Sequence, residues 1–381
     1  MSNTFTVRKI KKVSLKDKFK YKIICLLILV VLIIAIQYFI PENAELIRLY
    51  NQYVYYPIQS FRMLFLGYIP ISIGDFMYFF WGISIFVTII RWVYYIRNFA
   101  TEKIKLAYSF LSILTSLAVI YFSFLLGWGI NYYREPLAKS WELQIKNNKP
   151  IDTNALISFN RFLTDRLNNT AQNYKPFTVA EINNFSKYYY AKLSDSKIRT
   201  NGLEVKPTLY SYFMERIGIE GYYNPFTGEG QINSYLPAFL LPFTICHEMA
   251  HQAGIAAEGD ANLMSYAICT ACDNPTFKYS AYLNIWIYAN RRLARRDSNL
   301  AKSFELELNG LTRKHLDTIE LLSIKYQNIA AHYSSDMYDN YLKMNKQKEG
   351  IKSYGSVTGN AYRLEQKRNK TGKTTIHIPD Y

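Results

Sequence analysis

His247 and His251 stand four residues apart and enclose Glu248 in "TICHEMAHQAGIAAEGDAN", from Thr244 to Asn262. The chain has five histidines in 381 residues, so two within one helical turn call for a chemical reading. On a helix, positions i and i+4 share a face. Two imidazole nitrogens there can reach a single ion at about 2.0–2.1 Å. Glu248 is offset by one residue and is not placed as a ligand. It suits a general base, taking a proton from water and handing it to a leaving amine. A face holding two histidines and a glutamate, on a helix that carries Phe243, Ile245 and Cys246, is costly to bury without partners.

The spacing is H-E-x-x-H, the zinc metallopeptidase signature. One zinc ion is the expected cofactor. A catalytic zinc takes three protein ligands and leaves a fourth position open. Metzincins place glycine at position 254, as here, but a histidine where this chain has Ala257. "EGDAN", Glu258 to Asn262, instead resembles the E-x-x-A-D or E-x-x-x-D helix of gluzincin-type peptidases, with Asn262 replacing the last aspartate. That resemblance implies Glu258 as third ligand. It also implies Asn262 as the residue that hydrogen-bonds a ligating histidine. An asparagine carbonyl can accept an imidazole N–H without adding charge. Six residues separate His251 from Glu258, fewer than in most gluzincins, so "AGIAA" must form a tight bend. Asp260 is the reserve ligand. Tyr354, in "GIKSYGSV", is the candidate oxyanion stabiliser. His315, His332 and His377 are isolated and read as surface or core.

The elements that must hold these residues are mostly helices. Pro242 suits a first helical turn and Gly254 a helix end. The segment from Asp152 has helical apolar spacing with Asp152 or Thr153 as cap, and Thr178 with Glu181 forms a capping-box pattern. Ser298 to about Lys346 reads as two or three helices. A short strand is expected at Gln231–Tyr235, as an edge where substrate would add a strand. Cys246, Cys269 and Cys272 flank the motif without a second pair to complete a metal site, so they read as small buried residues.

The first third of the chain reads as membrane. Ile23–Ile40, about Ile73–Ile90 and Leu106–Ile130 are each long enough to cross a core of about 30 Å. Trp81, Trp92 and Trp128 fit interfacial belts, and Asp75 lies near a span end where it can reach the interface. The net charge is +16. Residues 1–22 carry +7, residues 91–130 carry +3, and residues 23–90 carry −1. The positive-inside rule thus puts the N-terminus and the second loop in the cytoplasm, and everything after about Asn131 outside. No compact basic motif for nucleic acid is present. The expected plan is a basic cytoplasmic segment 1–22 and an anchor 23–130 in the lipid bilayer. An extracytoplasmic domain 131–364 and a flexible polar tail 365–381 follow. The fold class is mainly α: three transmembrane helices, then a predominantly helical zincin-like domain with at most a small sheet.

"IPISIGDFMY", "WGINYYREPL", "NPFTGEGQIN", "PFTICHEMAHQAGIAAEGDAN" and "YLKMNKQKEGIKSYGSV" together resemble an uncharacterised family of bacterial inner-membrane proteins, catalogued as a domain of unknown function. The likeness runs from about Tyr38 to Tyr362. It implies an N-terminal anchor and an exported zincin-like metallopeptidase domain acting on extracytoplasmic polypeptide, with no established substrate. Two other readings stand beside it. One is a non-enzymatic envelope scaffold with a structural zinc, closed by a fourth ligand such as Cys246 or Cys269. The other is an intramembrane protease.

Overall fold

The structure, a computed structural model, describes residues 14–143, 151–193, 202–326 and 354–372, with residues 336, 340 and 343. The chain divides into two compact units, Met1–Ile40 with Phe79–Leu125 and Pro41–Tyr78 with Leu126–Tyr381.

The first unit holds α1 (Leu15–Phe39), most of α4 (Ile73–Arg97) and most of α5 (Phe99–Gly127). All three are long and apolar enough to cross a membrane. Each runs past its apolar stretch at one end, and α5 stops at Gly127, short of the expected Ile130. Ser14 caps α1 by accepting the Asp17 N–H, so the helix begins eight residues before the uncharged run. Within this unit Lys22 donates to Ser112 and the Trp92 indole N–H to Ser109.

The second unit begins with residues 41–78, which the sequence assigned to the anchor. They fold as α2 (Ala44–Tyr50), a π-helical turn (Asn51–Tyr55), α3 (Tyr56–Leu66) and the first turn of α4. After a 3-10 turn (Gly129–Tyr133) and the short α6 (Leu137–Ser140) come α7 (Thr153–Ala171) and α8 (Val179–Leu193). Asp152 caps α7, and Thr178 and Glu181 form the expected reciprocal box before α8. Next are β1 (Val205–Pro207), α9 (Ser211–Arg216), β2 (Gly221–Asn224) and β3 (Glu229–Ile232). The helices α10 (Leu241–Gln252), α11 (Glu258–Ala271), α12 (Pro275–Ala294), α13 (Ser298–Leu306) and α14 (Gly310–Lys325) complete the bundle, with α15 at Tyr354–Thr371.

The unit is predominantly helical with one small sheet of order β1-β3-β2. β3 runs parallel to β1 and antiparallel to β2. The strand expected at Gln231–Tyr235 lies two residues earlier, ending at Ile232, and it is central. Its two edges are already hydrogen-bonded, so it offers none to a ligand, and β1 and β2 are the outer strands instead.

α10 sits at the middle, packed on α8, α11, α12 and all three strands. Its residues are buried nearly all round, so its polar side chains face the protein interior rather than solvent. Leu156, Phe159, Leu163 and Leu167 of α7 form a buried stripe against α12. The tail begins later than its polarity suggests. α15 continues to Thr371, because Arg368 is buried and donates to Thr270 Oγ1 and the Ala267 carbonyl.

Candidate metal centre

α10 starts with Pro242 in its first turn and ends on Gly254, whose φ of +90° falls where a side chain would be strained. The Ile255 N–H bonds back to Ala250 and the Gly254 N–H to His251, a Schellman closure. Arg134 and Tyr55 also crowd the space a Cβ at 254 would need. The chain thus turns within a few residues and starts α11 at Glu258, so the short spacer is geometrically sufficient.

That turn brings His247, His251 and Glu258 together. One ligand atom from each lies within 4.8 Å of the others. His247 Nε2 is 3.2 Å from Glu258 Oε2, and His251 Nε2 is 3.5 Å from Oε1. The two Nε2 atoms are 3.1 Å apart. Both Nδ1 atoms are engaged elsewhere. His251 Nδ1 lies 2.7 Å from the Ile255 carbonyl, which can only accept, so this nitrogen carries the proton. His247 Nδ1 lies 3.0 Å from Asn262 Oδ1, the contact expected of Asn262. Each ring thus turns its Nε2 toward the centre, where a neutral imidazole offers a lone pair to a cation. Two such nitrogens and a carboxylate form a donor set that fits zinc.

Electrostatics agree with this donor set. Burial works against charge on both His251 and Glu258, but their mutual attraction wins. The His251 pKa rises to about 9 and the Glu258 carboxyl drops well below its ordinary range. A cation bound there would have to displace the proton that this attraction favours on His251.

Glu248 is 3% exposed, and its Oε2 has no hydrogen-bond partner among the described residues. Burial, opposed by the two histidines, pushes its pKa up to about 7. A Cβ on Gly221 would stand 2.8 Å from Glu248 Oε1 and one on Gly230 3.2 Å from its Cβ. These two glycines let β2 and β3 lie directly against the glutamate.

The other expected residues are placed elsewhere. Asp260 turns away from the centre and accepts the Leu137 N–H at 3.2 Å, so the reserve ligand anchors α6 instead. Tyr354 opens α15, and its side chain lies outside the described residues, as do His332 and His377. His315 stacks on Phe239 at 4.0 Å and pairs with the Tyr279 hydroxyl. Cys246, Cys269 and Cys272 are buried free thiols. Cys246 faces Ser186 and Cys269 the Pro242 carbonyl, and neither belongs to the metal group.

Several supporting residues carried no signal in the sequence. Tyr55, between the first two spans, donates to the Gln252 carbonyl at 3.1 Å. Gln252 exchanges two hydrogen bonds with the Glu204 backbone. Trp128, which the sequence assigned to an interfacial belt, is instead buried and meets the His251 ring edge-on at 6.0 Å. Glu220 accepts from Thr244 Oγ1, one turn before His247. Among 34 tyrosines and many polar residues, only the folded contacts distinguish them.

Residues 50–361 match the model of a family described as a protein of unknown function (DUF3810). No curated protein and no solved structure matches the chain.

Proposed function

The chain belongs to that family of unknown function, and from its site we propose a membrane-anchored zinc metallopeptidase that hydrolyses extracytoplasmic polypeptides. The observation that carries this reading is the convergence of His247, His251 and Glu258 beside a buried carboxylate with an unpartnered oxygen.

A zinc ion held by the three residues would supply Lewis acidity, activating water and polarising a carbonyl. The chain supplies the rest. Glu248 would accept the proton of the attacking water and return it to the departing amine. A pKa near 7 suits both transfers at neutral pH. Asn262 and the Ile255 carbonyl hold the imidazoles in the orientation and tautomer that ligation needs. The outer strand β2, bordering Glu248, gives an extended polypeptide an edge to pair with.

The basic N-terminus and second loop support the extracytoplasmic side and a bacterial inner membrane. A structural, closed zinc needs a fourth protein ligand, and neither Cys246 nor Cys269 faces the centre. An intramembrane protease needs a span around His247, whereas α10 has 12 residues.

The test is peptide hydrolysis by purified full-length protein against Glu248→Gln. Retained zinc with activity lost by several orders of magnitude is expected. Equal turnover by the two proteins would contradict the role of Glu248.

A further inference from the structure

α3 is an amphipathic helix turned inside out. Its Gln59 and Met63 side, continued by Tyr55 just before it, is buried in the second unit. Phe61, Leu64, Phe65 and Tyr68, spaced i, i+3, i+4 and i+7, face outward and are 57–86% exposed. Arg62, the charged residue within this stretch, turns inward to the Gly127 carbonyl. A water-facing helix would present the opposite pattern. The helix lies in a segment whose two ends enter membrane-capable helices, α1 ending at Phe39 and α4 beginning at Ile73.

A second apolar edge lies beside the same entry point. Leu209, two residues before α9, and Phe213, within it, are 58% and 65% exposed. The Leu209 N–H donates to Asp75 Oδ2 at 2.7 Å, and the Tyr210 hydroxyl to the Asp75 carbonyl at 2.8 Å. Asp75 is in the first turn of α4. The end of α3 is tied to the same place, since Lys206 Nζ donates to the Leu66 carbonyl and to Glu229. Glu229 in turn accepts the Ile73 and Gly74 N–H groups that open α4. Two exposed apolar faces therefore flank the point where a spanning helix starts.

We propose that the outward faces of α3 and α9 are a membrane-docking surface on which the second unit lies against the bilayer leaflet that α4 enters. The occupant is lipid, because the faces adjoin a membrane entry. Aromatic side chains are also the kind that settle at headgroup depth. The consequence is a site that works close to the bilayer surface, on polypeptide presented there.

The test uses full-length protein with Cys25→Ser, reconstituted into phosphatidylglycerol–phosphatidylethanolamine nanodiscs. Phe65→Cys, Phe213→Cys and Leu321→Cys each carry an environment-sensitive fluorophore. Leu321, on α14, is equally exposed and serves as the reference. Lipids with a nitroxide near the headgroup should quench the labels at 65 and 213 several-fold more than the one at 321. Equal quenching at all three positions would overturn the proposal. Blue-shifted labels at 65 and 213 that lipid nitroxides do not quench would also overturn it, and would assign the faces to a second copy of the chain.

Discussion

At the residue scale the centre depends on who holds each imidazole. His251 is oriented by a backbone carbonyl, which no substitution removes. His247 is oriented by Asn262, which a substitution does remove. Asn262→Ala should therefore weaken zinc binding by about 10–100-fold while leaving the fold intact. Titration against a competing chelator measures this, and unchanged affinity would remove Asn262 from the assembly. The histidine pair was legible because spacing alone puts His247 and His251 on one face, whereas Glu258 came through resemblance. Asn262 was legible only through resemblance to other peptidases. Asp260 was misplaced for a local reason. Two residues past Glu258 on a helix is just over half a turn, so its carboxylate leaves the face that Glu258 occupies.

At the element scale, caps and periodicity marked the helices, and the strand boundaries were less legible. β3 has four residues, and Gly230 and Gln231 give no alternation, so only its neighbours show that it is central. The close approach of sheet and helix depends on Gly221 and Gly230, whose role appears only when Glu248 is seen against them. α14 carries a pH-dependent contact. Burial against Phe239 lowers the His315 pKa, with the Lys314 charge assisting. The folded state thus favours neutral His315. Its contribution is present above the ordinary value of 6.5 and is lost as pH falls through the lower folded value. Thermal unfolding in detergent at pH 7.5 and pH 5 should show a larger acid loss for wild type than for His315→Phe. Equal losses would dissociate His315 from acid stability.

At the scale of the whole molecule, the apolar runs revealed three helices able to cross a membrane, but not that residues 41–78 belong with the unit that carries the candidate metal centre. That membership rests on buried polar contacts that hydropathy cannot register. Lys206 and Glu229, each 4% exposed, form an ion pair at 2.7 Å that also caps α4. Lys206→Met leaves Glu229 buried without its cation and should cost about 3–5 kcal/mol. Adding Glu229→Gln should recover part of the loss. Denaturation in detergent checks both, and a neutral Lys206→Met would show that the pair does not hold this junction.

The central claim is that His247, His251 and Glu258 hold one metal ion. Zinc per chain, measured on detergent-purified full-length protein, tests it most directly. The account predicts one zinc in wild type, none in His251→Ala or Glu258→Ala, and one in Asp260→Ala, whose carboxylate serves Leu137 instead. Wild type that stays empty after zinc reconstitution, or Glu258→Ala that keeps full occupancy, would contradict it.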